Sequence, residues 1–256
     1  MRRKALQLLA ISCLVALAGC SGALTGDGGA GEQSLEDVSY PAGVSENGTN
    51  VSALGESHTE ALNGSSFALG LDVNQSSSQS NRSTALRAAV GPNRDNVRMN
   101  VSDTKRAMEL YTTAEQRYLR IGTDGDATYQ TSERTSDGTS LVPSSYSGAS
   151  YLDRFAGQVG ANFTPTGVRD VDGTTVVVLR ADGSDVSAPD GTNVTDYNAT
   201  ILVDEQGVVH RFEASIRTGR DDAASRISVT MTVSDVGETA VEEPTWLDEA
   251  HNQTSN

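Results

Sequence analysis

The chain has 256 residues, with 34 acidic and 19 basic side chains and a formal net charge of −15. The bases are scattered and only Lys4 and Lys105 are lysines, which excludes nucleic acid as a partner, because phosphate binding needs clustered Lys and Arg. Two cysteines, Cys13 and Cys20, are too few for a disulfide framework.

The chain opens MRRKALQLLAISCLVALAGC. Arg2, Arg3 and Lys4 form a positive segment, and Ala5 to Ala18 form an apolar stretch broken only by Gln7 and Ser12. This is the tripartite pattern of a secretory signal over residues 1–19. It is too short for a membrane span, which needs about 20 apolar residues, and no later segment approaches that length. Leu17-Ala18-Gly19-Cys20 resembles the lipobox of lipoproteins, with cleavage between Gly19 and Cys20 and a lipid on the Cys20 thiol. Two acyl chains hold a protein stably on a bilayer. Cleavage would leave Cys20 as the lone cysteine, and lipidation gives that thiol a purpose. The alternative is an ordinary signal with a chance cysteine. The Arg2-Arg3 pair is a fragment of a twin-arginine signal, so the export route stays open. The resulting expectation is the outer face of the cell membrane, with membrane contact through the N-terminal lipid alone.

The chain after the signal carries 34 acids and 16 bases, a net of −18, with Lys105 its only lysine. Such a surface stays hydrated in strong salt, where self-repulsion is screened, and the composition looks haloarchaeal. Ten of the 13 asparagines begin an Asn-x-Ser/Thr triplet: Asn47, Asn50, Asn63, Asn74, Asn81, Asn100, Asn162, Asn193, Asn198 and Asn252. Ser and Thr make up about a fifth of the chain, far too few to give this by chance. N-glycosylation is the expectation, and co-occurrence of these residues in turns the alternative.

Residues 20–38 are Gly, Ser and acid and read as a flexible tether with an end-to-end distance of about 25 Å. Residues 39–256 read as one domain. Val51, Leu54, His58, Ala61 and Leu62 share one helical face, with Asn50 or Ser52 to cap the start and Asn63-Gly64 to stop it. The period then changes from 3.6 to 2. Phe67, Leu69, Leu71 and Val73 share one strand face, as do Leu86, Ala88 and Val90, then Val97, Met99 and Val101. AMELYTT, QRYLRIG and ATYQTS continue the series, with GTDGD as a turn. A second helix is expected in SGASYLDRFAGQVGANF, with Tyr151, Leu152, Phe155, Val159 and Phe163 as its stripe and Ser150 with Asp153 as a capping box. TTVVVLRA, NATILVDE, GVVHRFEASIR and SRISVTMTVSDV are further strands. The order helix, meander, helix, meander reads as a loose duplication.

About ten antiparallel strands at 4.8 Å spacing make a sheet about 45–50 Å wide, and two helices of about 10 Å diameter cannot cover it. The sheet must therefore curl into a closed barrel, a sandwich, or a half-barrel with helices on its concave side. The fold class is mainly β (α+β). The half-barrel would leave a cleft between sheet and helices.

Little in the chain carries chemistry. His58 sits on an apolar helical face, His210 alternates with Phe212, and His251 lies in a frayed tail; with no HExxH or cysteine pair, no metal site is expected. No Gly-x-Ser-x-Gly elbow or Ser-x-x-Lys appears, so an enzyme is not expected. TDGDAT, RDVDGT and RADGSDVSAPDG lack the spacing of a calcium loop and read as hairpin turns, with weak calcium binding by Asp182, Asp185 and Asp190 as a remote alternative. Trp246 is expected to dock the C-terminal tail on the sheet.

The lipobox, the acidic tether, YPAGVSENGTN, SFALGLDV, ILVDEQGVVHRFEASI and VGETAVEEPTWLDEA together resemble an uncharacterised haloarchaeal lipoprotein family. The helix-then-meander order and the VDEQGVVHRFEA hairpin are more distantly similar to the LolA-like group of lipoprotein and lipid carriers. That resemblance implies an unclosed β-barrel with helices capping an apolar cavity, and binding of a lipid or acyl chain. Phe67, Leu69, Leu71, Val97, Met99, Leu152, Phe155 and Val159 are the candidate lining residues, with plain core as their other reading. The alternative function is an envelope interaction or sensor protein without a small-molecule ligand.

Overall fold

A computed structural model describes residues 34–104, 106–122, 127–134, 146–183, 194–219 and 224–254. A small hairpin, β1 (Val44–Ser45) and β2 (Gly48–Thr49), leads into helix α1 (Val51–Ala61). Asn50 caps α1, its Oδ1 accepting from the Ala53 N–H at 3.1 Å, and Gly64 turns the chain out at a φ of +80°. Val51, Leu54, His58 and Leu62 are buried, as their spacing requires.

Six strands follow as an antiparallel meander: β3 (Phe67–Ser77), β4 (Asn81–Val90), β5 (Val97–Asp103), β6 (Ala107–Thr112), β7 (Gln116–Ile121) and β8 (Thr128–Glu133). The chain then returns through α2 (Ala149–Leu152), which runs on as a π-turn over Asp153–Gly157. A second meander comprises β9 (Thr164–Val171), β10 (Thr174–Gly183), β11 (Val194–Asp204), β12 (Val209–Thr218) and β13 (Ser225–Ser234). Helix α3 (Leu247–Thr254) ends the described chain.

The two meanders join where β3 pairs with β13, giving one 11-stranded antiparallel sheet in the order β8-β7-β6-β5-β4-β3-β13-β12-β11-β10-β9. The edges β8 and β9 do not meet, so the sheet is curled but not closed. One row of paired residues crosses eight strands on the concave face: Met108, Val101, Leu86, Leu71, Met231, Phe212, Ile201 and Leu179. Leu69, Val233, Val203, Tyr197 and the apolar sides of α1 and α2 join it in one core. Full burial of each such side chain contributes about 1.5–3 kcal/mol.

Several expectations need correction. The second helix is not capped by Ser150 with Asp153. Its N-cap is Gly148, at a φ of +92°, where a Cβ would stand 2.6 Å from Met231 Sδ. Only glycine combines that φ with that contact. The π-turn replaces regular helix, and Gly160 ends it at a φ of +69°. Strand β9 has no counterpart in the sequence reading, because Pro165 and Gly167 interrupt its pattern; both are tolerated at a sheet edge. The tail is an ordered helix, not a frayed end. Leu35 and Val38, read as tether, pack against the core. The segment GTDGD lies largely outside the described residues. The RDVDGT turn is as expected: Asp172 and Gly173 have φ of +51° and +83°, the primed turn of a two-residue hairpin.

Candidate binding groove

Among the described residues, the interface between sheet and helices is filled. All eight residues expected to line a cleft there lie in the core: Phe67, Leu152 and Val97 are fully buried, and Leu69, Leu71, Met99, Phe155 and Val159 are at most 9% exposed. The open space is elsewhere. Helices α1 and α2 run close together, so that a Cβ on Gly55 would lie 3.8 Å from Ala149 Cβ, and on their outer side they leave a groove of about 1190 Å³. Val51, Gly55, Thr59 and Ala149 form its floor. Ser52, Glu56, Glu60 and Asn63 form one wall, Ser150, Asp153, Arg154 and Gln158 the other, and Arg94 borders it beside Asn63. None of the eight expected residues borders this groove.

The backbone at Asn93 and Arg94 is unusual, with φ of +57° and +60° at two consecutive non-glycine residues. It carries the Arg94 side chain to the end of α1, where Nη1 reaches Asn63 Oδ1 at 3.5 Å. Arg94 Nε and Nη2 have no hydrogen-bond partner among the described residues. Across the groove, Gln158 Nε2 donates to Asp153 Oδ2 at 3.3 Å. The result is a narrow, small-residue floor between walls that carry both signs of charge. Such a surface can bind an elongated amphiphile along its floor. Among the described residues no group of three or more His, Cys, Asp or Glu side chains could hold a metal ion.

Beneath the groove, His58 locks α1 in place. It is fully buried. Its Nδ1 accepts from the Val209 N–H at 3.0 Å, so Nε2 carries the proton and donates to the Ser147 carbonyl at 2.8 Å. One side chain thus joins α1, β12 and the chain entering α2. Burial pushes its pKa down to about 4, against the opposing pull of the Ser147 carbonyl and Asp204, and with help from His210. His210 bonds Asp204 through Nε2 and Oδ2 at 2.8 Å, and Asp204 Oδ1 accepts from the Val208 N–H, which holds the turn before β12. The sequence reading did not single out Asp204. Tyr197 donates its hydroxyl to the Phe155 carbonyl at 2.9 Å, tying β11 to the π-turn, and burial raises its pKa.

On the convex face Trp246 docks the tail as expected. It packs with Tyr111, Tyr118 and Ala250, and its Nε1 donates to Glu109 Oε2 at 3.0 Å. His251 Nε2 lies 3.1 Å from the Tyr118 hydroxyl. Of the Asn-x-Ser/Thr asparagines, Asn47, Asn50, Asn63, Asn74, Asn81, Asn100, Asn162, Asn198 and Asn252 are exposed; Asn193 lies outside the described residues. Cys20, with the whole signal and most of the tether, also lies outside them, as do Asp185 and Asp190, while Asp182 lies in β10. Among the described residues no helix is long and apolar enough to cross a membrane.

Spacing of small residues was the available signal for the groove. Ser52, Gly55 and Thr59 repeat at helical intervals on α1, and Gly55 faces Ala149 on α2. Nothing in the sequence places Arg94 there.

Solved structures to which the chain is similar include a DUF1329 family protein from Desulfovibrio piger, at 9% identity over 79% of this chain and 97% of that one, with a TM-score of 0.27. Lipoprotein LppX of Mycobacterium tuberculosis is similar at 12% identity over 75% of this chain and 98% of its own, with a TM-score of 0.32. The MucA/MucB complex of Pseudomonas aeruginosa gives 12% identity, 75% and 100% coverage and a TM-score of 0.21. None of the curated proteins matches the chain. A family of unknown function, DUF7537, matches residues 5–250, and the chain belongs to that family.

Proposed function

We propose that the protein is a lipid-anchored, extracytoplasmic binding protein whose groove between α1 and α2 holds an amphiphile, a lipid or acyl chain. The observation that carries this reading is the groove itself. Its volume of about 1190 Å³ is somewhat larger than that of ordinary ligand sites, which span about 300–1,000 Å³, and leaves room for an extended chain. A chain lies on Val51, Gly55 and Ala149, and a polar head meets Arg94, Arg154 or Glu60 at the walls. The signal pattern and Cys20 support a position on the outer face of the cell membrane.

The test is saturable binding of the fluorescent fatty acid cis-parinaric acid, competed by oleate. Wild-type protein saturates, and Gly55→Leu, which fills the floor, weakens binding at least tenfold. Absence of saturable binding in wild type sinks the reading. A second reading has an observation of its own. The sheet–helix interior is sealed and the groove walls are charged, as suits a peptide segment of an envelope partner. Cross-linking at Ser52 or Gln158 to one protein, without lipid binding, selects it.

A further inference from the structure

We infer that the convex face of the sheet is a glycan-bearing face, with Asn74, Asn81, Asn100 and Asn198 as attachment points. The inference rests on the extracytoplasmic placement proposed above but not on the groove.

Asparagine is disfavoured in strands. The four asparagines in the described strands nevertheless all begin an Asn-x-Ser/Thr triplet, whereas Asn93 and Asn96, which do not, lie between β4 and β5. In a strand, residues two apart share a face. Asn74 with Ser76, Asn81 with Ser83, Asn100 with Ser102 and Asn198 with Thr200 therefore point the same way as pairs. Phe67, Leu69 and Leu71 mark the concave side of β3, so Asn74 is convex; the buried Leu86, Met99 and Tyr197 place Asn81, Asn100 and Asn198 on the convex side likewise. All four are exposed.

The register adds a landing area. Asn74 pairs with Ser228, Ser228 with Ser215, and Ser215 with Asn198, while Ser83 flanks Asn74 on the other side. Asn74 and Asn198 thus stand three strand spacings apart, about 14 Å, across a row of short hydroxyl side chains. Helix α3 packs over β7 and β8, toward the opposite end of the sheet from β13, β12 and β11.

The chemistry is transfer from a polyprenyl-phosphate-linked sugar. The asparagine amide nitrogen bonds to the anomeric carbon, the bond from that carbon to the carrier's phosphate oxygen breaks, and the amide proton leaves to a base. No oxidant or reductant is involved.

The test uses the whole chain made in its natural host. Cell fractions are separated, and the peptides carrying the four asparagines and Cys20 are weighed by mass spectrometry. Glycan mass on Asn74 and Asn198, with one glycan step lost in each of Asn74→Gln and Asn198→Gln and no change in unfolding midpoint, supports the inference. Four bare peptides from membrane-fraction protein with a lipidated Cys20 overturn it and leave the placement standing. Bare peptides from cytosolic protein overturn both.

Discussion

Acidification should weaken the fold through His58. Its pKa falls from 6.5 in the unfolded chain to about 4 in the fold, a shift that amounts to about 3 kcal/mol at 1.36 kcal/mol per unit. The fold holds this ring neutral, because Nδ1 is already occupied by the Val209 N–H. Above pH 6.5 neither state binds the proton, and the contribution is fully present. Between pH 6.5 and 4 the unfolded chain takes up the proton first, so stability falls as pH falls, and the loss levels off below about pH 4. His58→Leu removes the titration, takes the His58 donor away from the Ser147 carbonyl, and leaves the buried Val209 N–H without its acceptor, at about 1–3 kcal/mol for that group. The variant is therefore less stable than wild type at pH 7.5, and the gap narrows by about 3 kcal/mol on going to pH 4. Urea unfolding at constant salt across that range, followed by circular dichroism and by the fluorescence of Trp246, measures the gap. A gap that stays constant with pH would refute the reasoning.

Other perturbations have defined outcomes. Tyr197→Phe strips the Phe155 carbonyl of its donor and should cost about 1–3 kcal/mol in urea unfolding. Gly148→Ala forces a Cβ against Met231 Sδ and Leu69 Cδ1 at a positive φ, and should cost about 2 kcal/mol or more, read as a lowered midpoint. Trp246→Ala removes the anchor of α3 and its bond to Glu109; limited proteolysis should then release the tail from residue 247 onward while the sheet keeps its unfolding transition. Gly55→Ala meets only ordinary contact at Ala149 and should stabilise helix α1 by about 0.5–1 kcal/mol.

Much of the architecture was legible because its signals are local. The alternation of Phe67, Leu69 and Leu71 reports a strand with one buried face, and Asn50 with Gly64 brackets α1. The width of the sheet against the size of two helices requires the sheet to curl, and the LolA-like resemblance implied the unclosed form. Strand β9 was hidden because Pro165 and Gly167 carry no strand signal, and an edge strand does not need one. The π-turn was hidden because Leu152, Phe155 and Val159 fit a regular helix equally well. The groove depends on a tertiary fact, the close approach of Gly55 to Ala149, which no single helix encodes. For the same reason the eight apolar residues gave no way to tell cavity wall from filled core. Packing of α1 and α2 against the sheet decides that, and here it closes the interior.

The most direct test of the binding reading is native mass spectrometry of a Cys20→Ser protein, exported from its natural host without its anchor and purified without detergent. The account predicts an added mass that extracts into organic solvent as an amphiphile and is missing from the Gly55→Leu form of the same protein. A protein of bare or merely glycosylated mass, still unchanged after incubation with host lipids, would contradict it.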